Sequence, residues 1–152
     1  NKKLEFDIFA GGETAGIPYA AFLAQIFQKQ MVYIRKKTKG FGKNKQIEGF
    51  YKKGQKAILI EDLATDGGSK VSFIETMRKN GLLVSDIFVI FYYDIFELKE
   101  TPLGSMNVNI HSLCTWKNIL EVISANKNFS NLELENIKNF LFEPESWRKK
   151  YG

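Results

Sequence analysis

The 152-residue chain predicts an α/β domain built as a three-layer parallel sheet flanked by helices. Three observations lead there. Short apolar runs alternate with segments whose apolar residues recur at helical spacing. Runs end in glycine or acidic turns, as strands feeding helices do. Residues 87–93 are apolar and aromatic without alternation, the pattern of a strand buried on both faces of a parallel sheet.

Residues 6–10 are the first apolar run and stop at Gly11 and Gly12. Over 17–28, Ile17, Ala20, Ala21, Ala24 and Phe27 share a helical face, with Pro18 in the first turn, where its missing N–H matters least. Residues 31–34 are a second strand, leading directly into a basic stretch. Residues 57–60 are a third, followed by acids and glycines and then a helix to about Lys79, in which Val71, Ile74 and Met77 face a core. Asn80 and Gly81 end that helix, because glycine readily takes the left-handed conformation found there. Strands over 87–93 and 108–110 come next, then helices over 116–125 and 132–142. Ser130 or Asn131 is the expected N-cap of the last one, and Pro144 lies beyond its end. No repeat or linker interrupts the chain, so residues 1–152 are one domain.

Apolar residues make up 44% and charged residues 26%, which excludes a disordered or collagenous chain. No apolar run approaches the roughly 20 residues of a membrane-spanning helix, so no membrane partner is expected. A lone cysteine, Cys114, has no internal disulfide partner, which fits a cytoplasmic protein.

The net charge of +5 is unevenly spread. Residues 29–56 hold ten basic residues and one acid, Glu48, for +9, and the rest of the chain carries −4. The centre of this segment has two glycines and no periodicity, so it reads as an exposed loop. Three readings fit it: a solvated charge run, a phosphate-binding loop, or a nucleic-acid contact. Stacking aromatics are few among its lysines, which disfavours nucleic acid as a partner.

Ligands of open parallel sheets bind beyond the carboxyl ends of the strands. There the chain reads Glu61, Asp62, Leu63, Ala64, Thr65, Asp66, Gly67, Gly68, Ser69. Adjacent acids on a strand project to opposite sides. One or both can accept hydrogen bonds from sugar hydroxyls or hold a hydrated Mg²⁺. The small residues that follow open a helix, whose free N–H groups and dipole favour a phosphate. Together they suggest a ribose phosphate. A plainer reading has the glycines turning the chain and Ser69 capping the helix, which leaves the acid pair without a role.

This segment resembles the phosphoribosyl pyrophosphate motif of the type I phosphoribosyltransferases. Ala10, Gly11, Gly12, Glu13, Thr14, Ala15, Gly16, Ile17 and Pro18 are similar to the family's pyrophosphate loop, in particular that of its orotate phosphoribosyltransferase branch. The stretch from Tyr33 through Arg35, Lys36, Lys37, Lys39 and Phe41, closing with Ile47, Glu48 and Gly49, is similar to that branch's mobile catalytic loop. Residues 111–116 and the terminal helices look like the C-terminal part of one bacterial branch.

The resemblance implies transfer of the 5-phosphoribosyl group from phosphoribosyl pyrophosphate to orotate, with Mg²⁺. Glu61 and Asp62 are then expected on the ribose hydroxyls, the turn through Thr65, Asp66, Gly67, Gly68 and Ser69 around the 5-phosphate, and Glu13, Thr14 and Ala15 on the pyrophosphate. Arg35, Lys36 and Lys39 would neutralise the leaving group. Mg²⁺ would be held mainly by substrate and water, with Asp62 as the protein's own candidate ligand. A homodimer is implied, with loop 35–45 reaching the partner's site. His111, Cys114, Trp116 and Trp147 would be structural.

The chain departs from the family at Phe41, where a histidine is common, at Ala15, where a lysine is common, and at Ile95, where an arginine follows the aspartate equivalent to Asp94. The family's N-terminal hood over the base is not found before Asn1. A regulatory module that binds phosphoribosyl pyrophosphate without turnover, and a transferase for another base, are the alternatives.

Overall fold

The structure, a computed structural model, describes residues 4–37, 45–125 and 129–151. Side chains alternating along β1 (Ile8–Gly12), β2 (Gln30–Ile34) and β4 (Lys56–Ala64) divide the core in two. Ile8, Ala10, Val32, Ile34, Ala57 and Leu59 pack on one face of the sheet with Phe73, Ile74 and Met77 of α2 (Gly68–Lys79). Phe9, Ile58 and Ile60 pack on the other with Ala20 and Ala24 of α1 (Gly16–Phe27). This is the expected three-layer arrangement.

The sheet has six strands in the order β3-β2-β1-β4-β5-β6. All neighbours are parallel except β3 (Ile47–Glu48), which runs antiparallel to β2. β5 spans Leu83–Tyr92 and β6 Asn109–Thr115. The chain builds outward from β1 through β2, then returns to the other side of β1 at β4. The strand order therefore reverses between β1 and β4, opening a crevice beyond their carboxyl ends.

Several boundaries differ from the sequence expectation. Gly11 and Gly12 belong to β1, so the turn is made by Glu13, Thr14 and Ala15. β4 continues through Ala64, because Leu63 and Ala64 pair with Phe91 and Tyr92. β3 is too short to leave a periodic signal. β6 runs to Thr115 and carries His111 and Cys114. Only one face of β5 is fully covered: Ile87 and Val89 are buried, whereas Phe88, Ile90 and Phe91 are half-buried.

The C-terminal helices are α3 (Trp116–Ala125), α4 (Asn131–Phe142) and α5 (Pro144–Tyr151). Ser130 caps α4 through a reciprocal pair in which Glu133 N donates to its Oγ and its own N–H donates to the Glu133 carboxylate. Pro144 does not merely follow a helix but starts α5, the position where proline is best tolerated. Edge-to-face rings run from Phe91 and Tyr93 through Trp116 and Phe140 to Trp147, joining these helices to the sheet.

Candidate active site

At the crevice, β1 and β4 lie side by side with Gly11 opposite Ile60. The turn after β1 contains a cis peptide between Glu13 and Thr14. Thr14 and Ala15 are exposed there. Glu13 is held from two directions: its N–H donates to Ile34 O at 2.9 Å, and its Oε2 accepts the Lys36 N–H at 2.8 Å. The turn after β1 is thereby fastened to the end of β2.

Strand alternation sends the two acids to opposite sides. Glu61 points toward α2 and is 5% exposed. Its Oε2 pairs with Lys70 Nζ at 2.9 Å. Its Oε1 lies beneath the β1 turn, so close that a Cβ at Gly12 would sit 2.0 Å from it and one at Gly16 2.7 Å. Burial pushes the Glu61 carboxyl up from its ordinary value; the Lys70 hydrogen bond and charge pull it back, Asp62 pushes it further up, and Lys36 pulls it down, leaving a net rise. The Lys36 charge is thus felt at Glu61. Asp62 is half-buried and makes no hydrogen bond or ion pair among the described residues, so its carboxylate is open at the strand end.

The turn into α2 is built from Thr65, Asp66, Gly67 and Gly68. Asp66 Oδ1 accepts the Gly68 N–H at 3.0 Å and the Thr65 hydroxyl at 3.3 Å. Gly67 adopts φ +76°, and a Cβ there would meet Leu103 at 2.0 Å, so glycine is required on both counts. Gly67 occupies the N-cap position without a side-chain cap. Ser69 is therefore not the helix cap; its hydroxyl is exposed and accepts from Lys70 Nζ at 3.1 Å. Thr65 and Asp66 are exposed beside it.

Beyond β2, Arg35 N–H donates to Gln46 O at 2.8 Å, and the Arg35 guanidinium pairs with Glu48 at 3.6 Å. Both contacts straddle the β2–β3 ladder, so the basic segment leaves and re-enters the sheet at one place. The Arg35 Nε is buried without a hydrogen-bond partner. Lys36 is exposed at the mouth of the segment. Lys39 and Phe41 lie outside the described residues.

No protein-family model matches the chain. The chain is 46% identical over 144 residues to an orotate phosphoribosyltransferase of a Ruegeria species, a match spanning 95% of this chain and 64% of that protein. It also resembles the solved structure of Leishmania donovani UMP synthase, with TM-score 0.73 and 25% identity, over 91% of this chain and 29% of that one. The structure of orotate phosphoribosyltransferase from Aeropyrum pernix matches with TM-score 0.68 and 34% identity, over 80% of this chain and 67% of that one. The chain belongs to the orotate phosphoribosyltransferase family. It spans about 64% of the length of the curated relatives it matches.

Within this orotate phosphoribosyltransferase relative, the geometry brings together Glu13, Thr14, Ala15, Lys36, Asp62 and the 65–69 turn at one crevice. Leu63 and Ala64 serve there as paired strand residues, Ala64 being buried. Two contacts escaped the sequence reading. Lys70 left a signal: a lysine in the first turn of a helix opposes the helix dipole and needs a compensating acid. The Glu13–Lys36 contact left none, because a carboxylate accepting a backbone N–H has no residue pattern. Among the described residues, no three His, Cys, Asp or Glu side chains gather to form a metal cage, and no helix is long and apolar enough to cross a membrane.

Proposed function

We propose that the protein is an orotate phosphoribosyltransferase, converting phosphoribosyl pyrophosphate and orotate to orotidine 5′-monophosphate and pyrophosphate. The observation that carries this reading is the convergence, at the strand-order reversal, of an exposed β1 turn, the open Asp62 carboxylate and a glycine turn opening α2. These suit the pyrophosphate, the ribose hydroxyls and the 5-phosphate of one substrate. The family membership supports the choice of orotate.

The orotate ring nitrogen, its proton passing to solvent, forms its bond to ribose C1 as the C1–oxygen bond breaks and pyrophosphate departs with the electron pair. Charge on the leaving group is what needs stabilising. Lys36 at the loop root, with Arg35 and Lys39, supplies cations for it. Asp62 orients the sugar. The open Asp62 carboxylate also suits a hydrated Mg²⁺ held mostly by substrate oxygens and water. When bound, that ion polarises the pyrophosphate oxygens. No protein nucleophile is needed.

The reading extends to a homodimer with loop 35–45 reaching the neighbouring site. Its support is the outward apolar face of α1, where Phe22 is 66% and Ile26 73% exposed. A cytoplasmic setting is supported by the free thiol of Cys114.

The test is the orotate-dependent absorbance change of the full-length protein with phosphoribosyl pyrophosphate and Mg²⁺. Turnover with orotate and none with adenine or uracil is expected. Turnover with a purine alone would move the assignment to a sister enzyme. Calorimetric binding without pyrophosphate release would make it a regulatory binder.

A further inference from the structure

We propose that Lys70 is a positioning residue of this site: its ammonium locks Glu61 beneath the β1 turn, ties it to Ser69 of the phosphate turn, and leaves Asp62 as the carboxylate that meets the sugar. This rests on the phosphoribosyl pyrophosphate reading and deepens it.

The sequence at this point runs against local preference. Lys70 is the third residue of α2, where a cation faces the positive end of the helix dipole. It is also 7% exposed, although lysine seldom buries its ammonium without a partner. Two oxygens account for its placement: Glu61 Oε2 at 2.9 Å and Ser69 Oγ at 3.1 Å. They belong to the strand end and to the turn after it, so one side chain spans both halves of the motif.

The far side of Glu61 is equally engaged, since Oε1 fills the space that side chains at Gly12 and Gly16 would need. Glu61 is thereby a strut between the β1 turn and α2, and both of its oxygens face protein. Charge gives the second reason for the lysine. Two bare carboxylates would repel a substrate carrying several phosphate charges, whereas a buried cation cancels one of them where solvent screens little.

The experiment compares Lys70→Met, Lys70→Arg and the double variant Glu61→Gln with Lys70→Met in the full-length protein. For Lys70→Met, KM for phosphoribosyl pyrophosphate should rise at least about tenfold with a smaller change in kcat, the size expected from a buried charged group losing its partner. Lys70→Arg should recover part of the KM. The double variant should keep the raised KM, and it carries the test if Lys70→Met does not fold. A wild-type KM in Lys70→Met, or in the double variant, would overturn the proposal. Thermal midpoints need no substrate: Lys70→Met should lower the midpoint and the double variant should restore part of it, because an unpaired buried carboxylate costs more than the loss of both partners. If the wild type does not bind phosphoribosyl pyrophosphate, the parent reading fails, while the midpoint series still decides whether Lys70 locks Glu61.

Discussion

Glu13 Oε2 accepts the backbone N–H of Lys36 at 2.8 Å, joining two loops that are 23 residues apart in the chain. The contact puts the root of the basic segment at a fixed distance from the turn after β1. A carboxylate placed for pyrophosphate contact would repel its ligand, and this one is instead consumed by the backbone.

Replacing Glu13 by Ala removes that acceptor from a half-buried position. We expect a stability loss of about 1 kcal/mol, equivalent to about a fivefold faster amide exchange at Lys36. Amide exchange by NMR checks it, and unchanged protection at Lys36 would refute the tie.

Gly12→Ala and Gly54→Ala separate crowding from backbone strain. The first places a Cβ 2.0 Å from Glu61 Oε1 and 2.9 Å from Phe73, disturbing a buried ion pair, and should cost about 3 kcal/mol or more. The second meets nothing within 4 Å but sits at φ +87°, and should cost about 1–2 kcal/mol. Urea denaturation should rank them in that order.

Asp86 sets part of the acid limit. Burial would raise its carboxyl, but hydrogen bonds from Ser85, His111 and Asn109 outweigh burial and hold it below its ordinary 3.8. A carboxyl depressed in the folded state contributes stability above its unfolded value and loses it as pH falls through the folded one. Asp86→Asn should therefore be less stable than wild type near neutrality and nearly equal to it in strong acid. Denaturation midpoints across that range test the sign.

Arg35→Ala and Lys39→Ala should part company. Arg35 pairs with Glu48 across β2 and β3, so its loss should lower both turnover and stability, the latter by about 1 kcal/mol. Lys39→Ala should lower turnover strongly while stability stays within about 0.5 kcal/mol. Equal turnover for Lys39→Ala and wild type would remove that lysine from the chemistry.

Much of this architecture was readable from residue order. Apolar runs placed β1, β2, β4 and β5, and Gly67 and Gly68 marked the turn into α2, whereas Gly11 and Gly12 proved to lie within β1. By sequence alone β4 ends at Ile60, where two acids interrupt the apolar run; pairing of Leu63 and Ala64 with β5 carries the strand onward. β3 is two residues long and owes its existence to the ladder with β2. Alternation foretold that Glu61 and Asp62 diverge, but not that Lys70 takes one of them, since that pairing depends on how α2 lies on the sheet. The C-terminal aromatics revealed their edge-to-face row only once the helices were docked.

The Arg35 N–H to Gln46 O contact brings the two ends of the basic segment together at a stapled doorway. Chain inserted between such ends adds closure entropy only slowly with length, about 0.6 kcal/mol per doubling. The segment is therefore a replaceable cassette. Libraries that vary its length and charge can be screened for turnover and base choice while the sheet beneath is left as it stands.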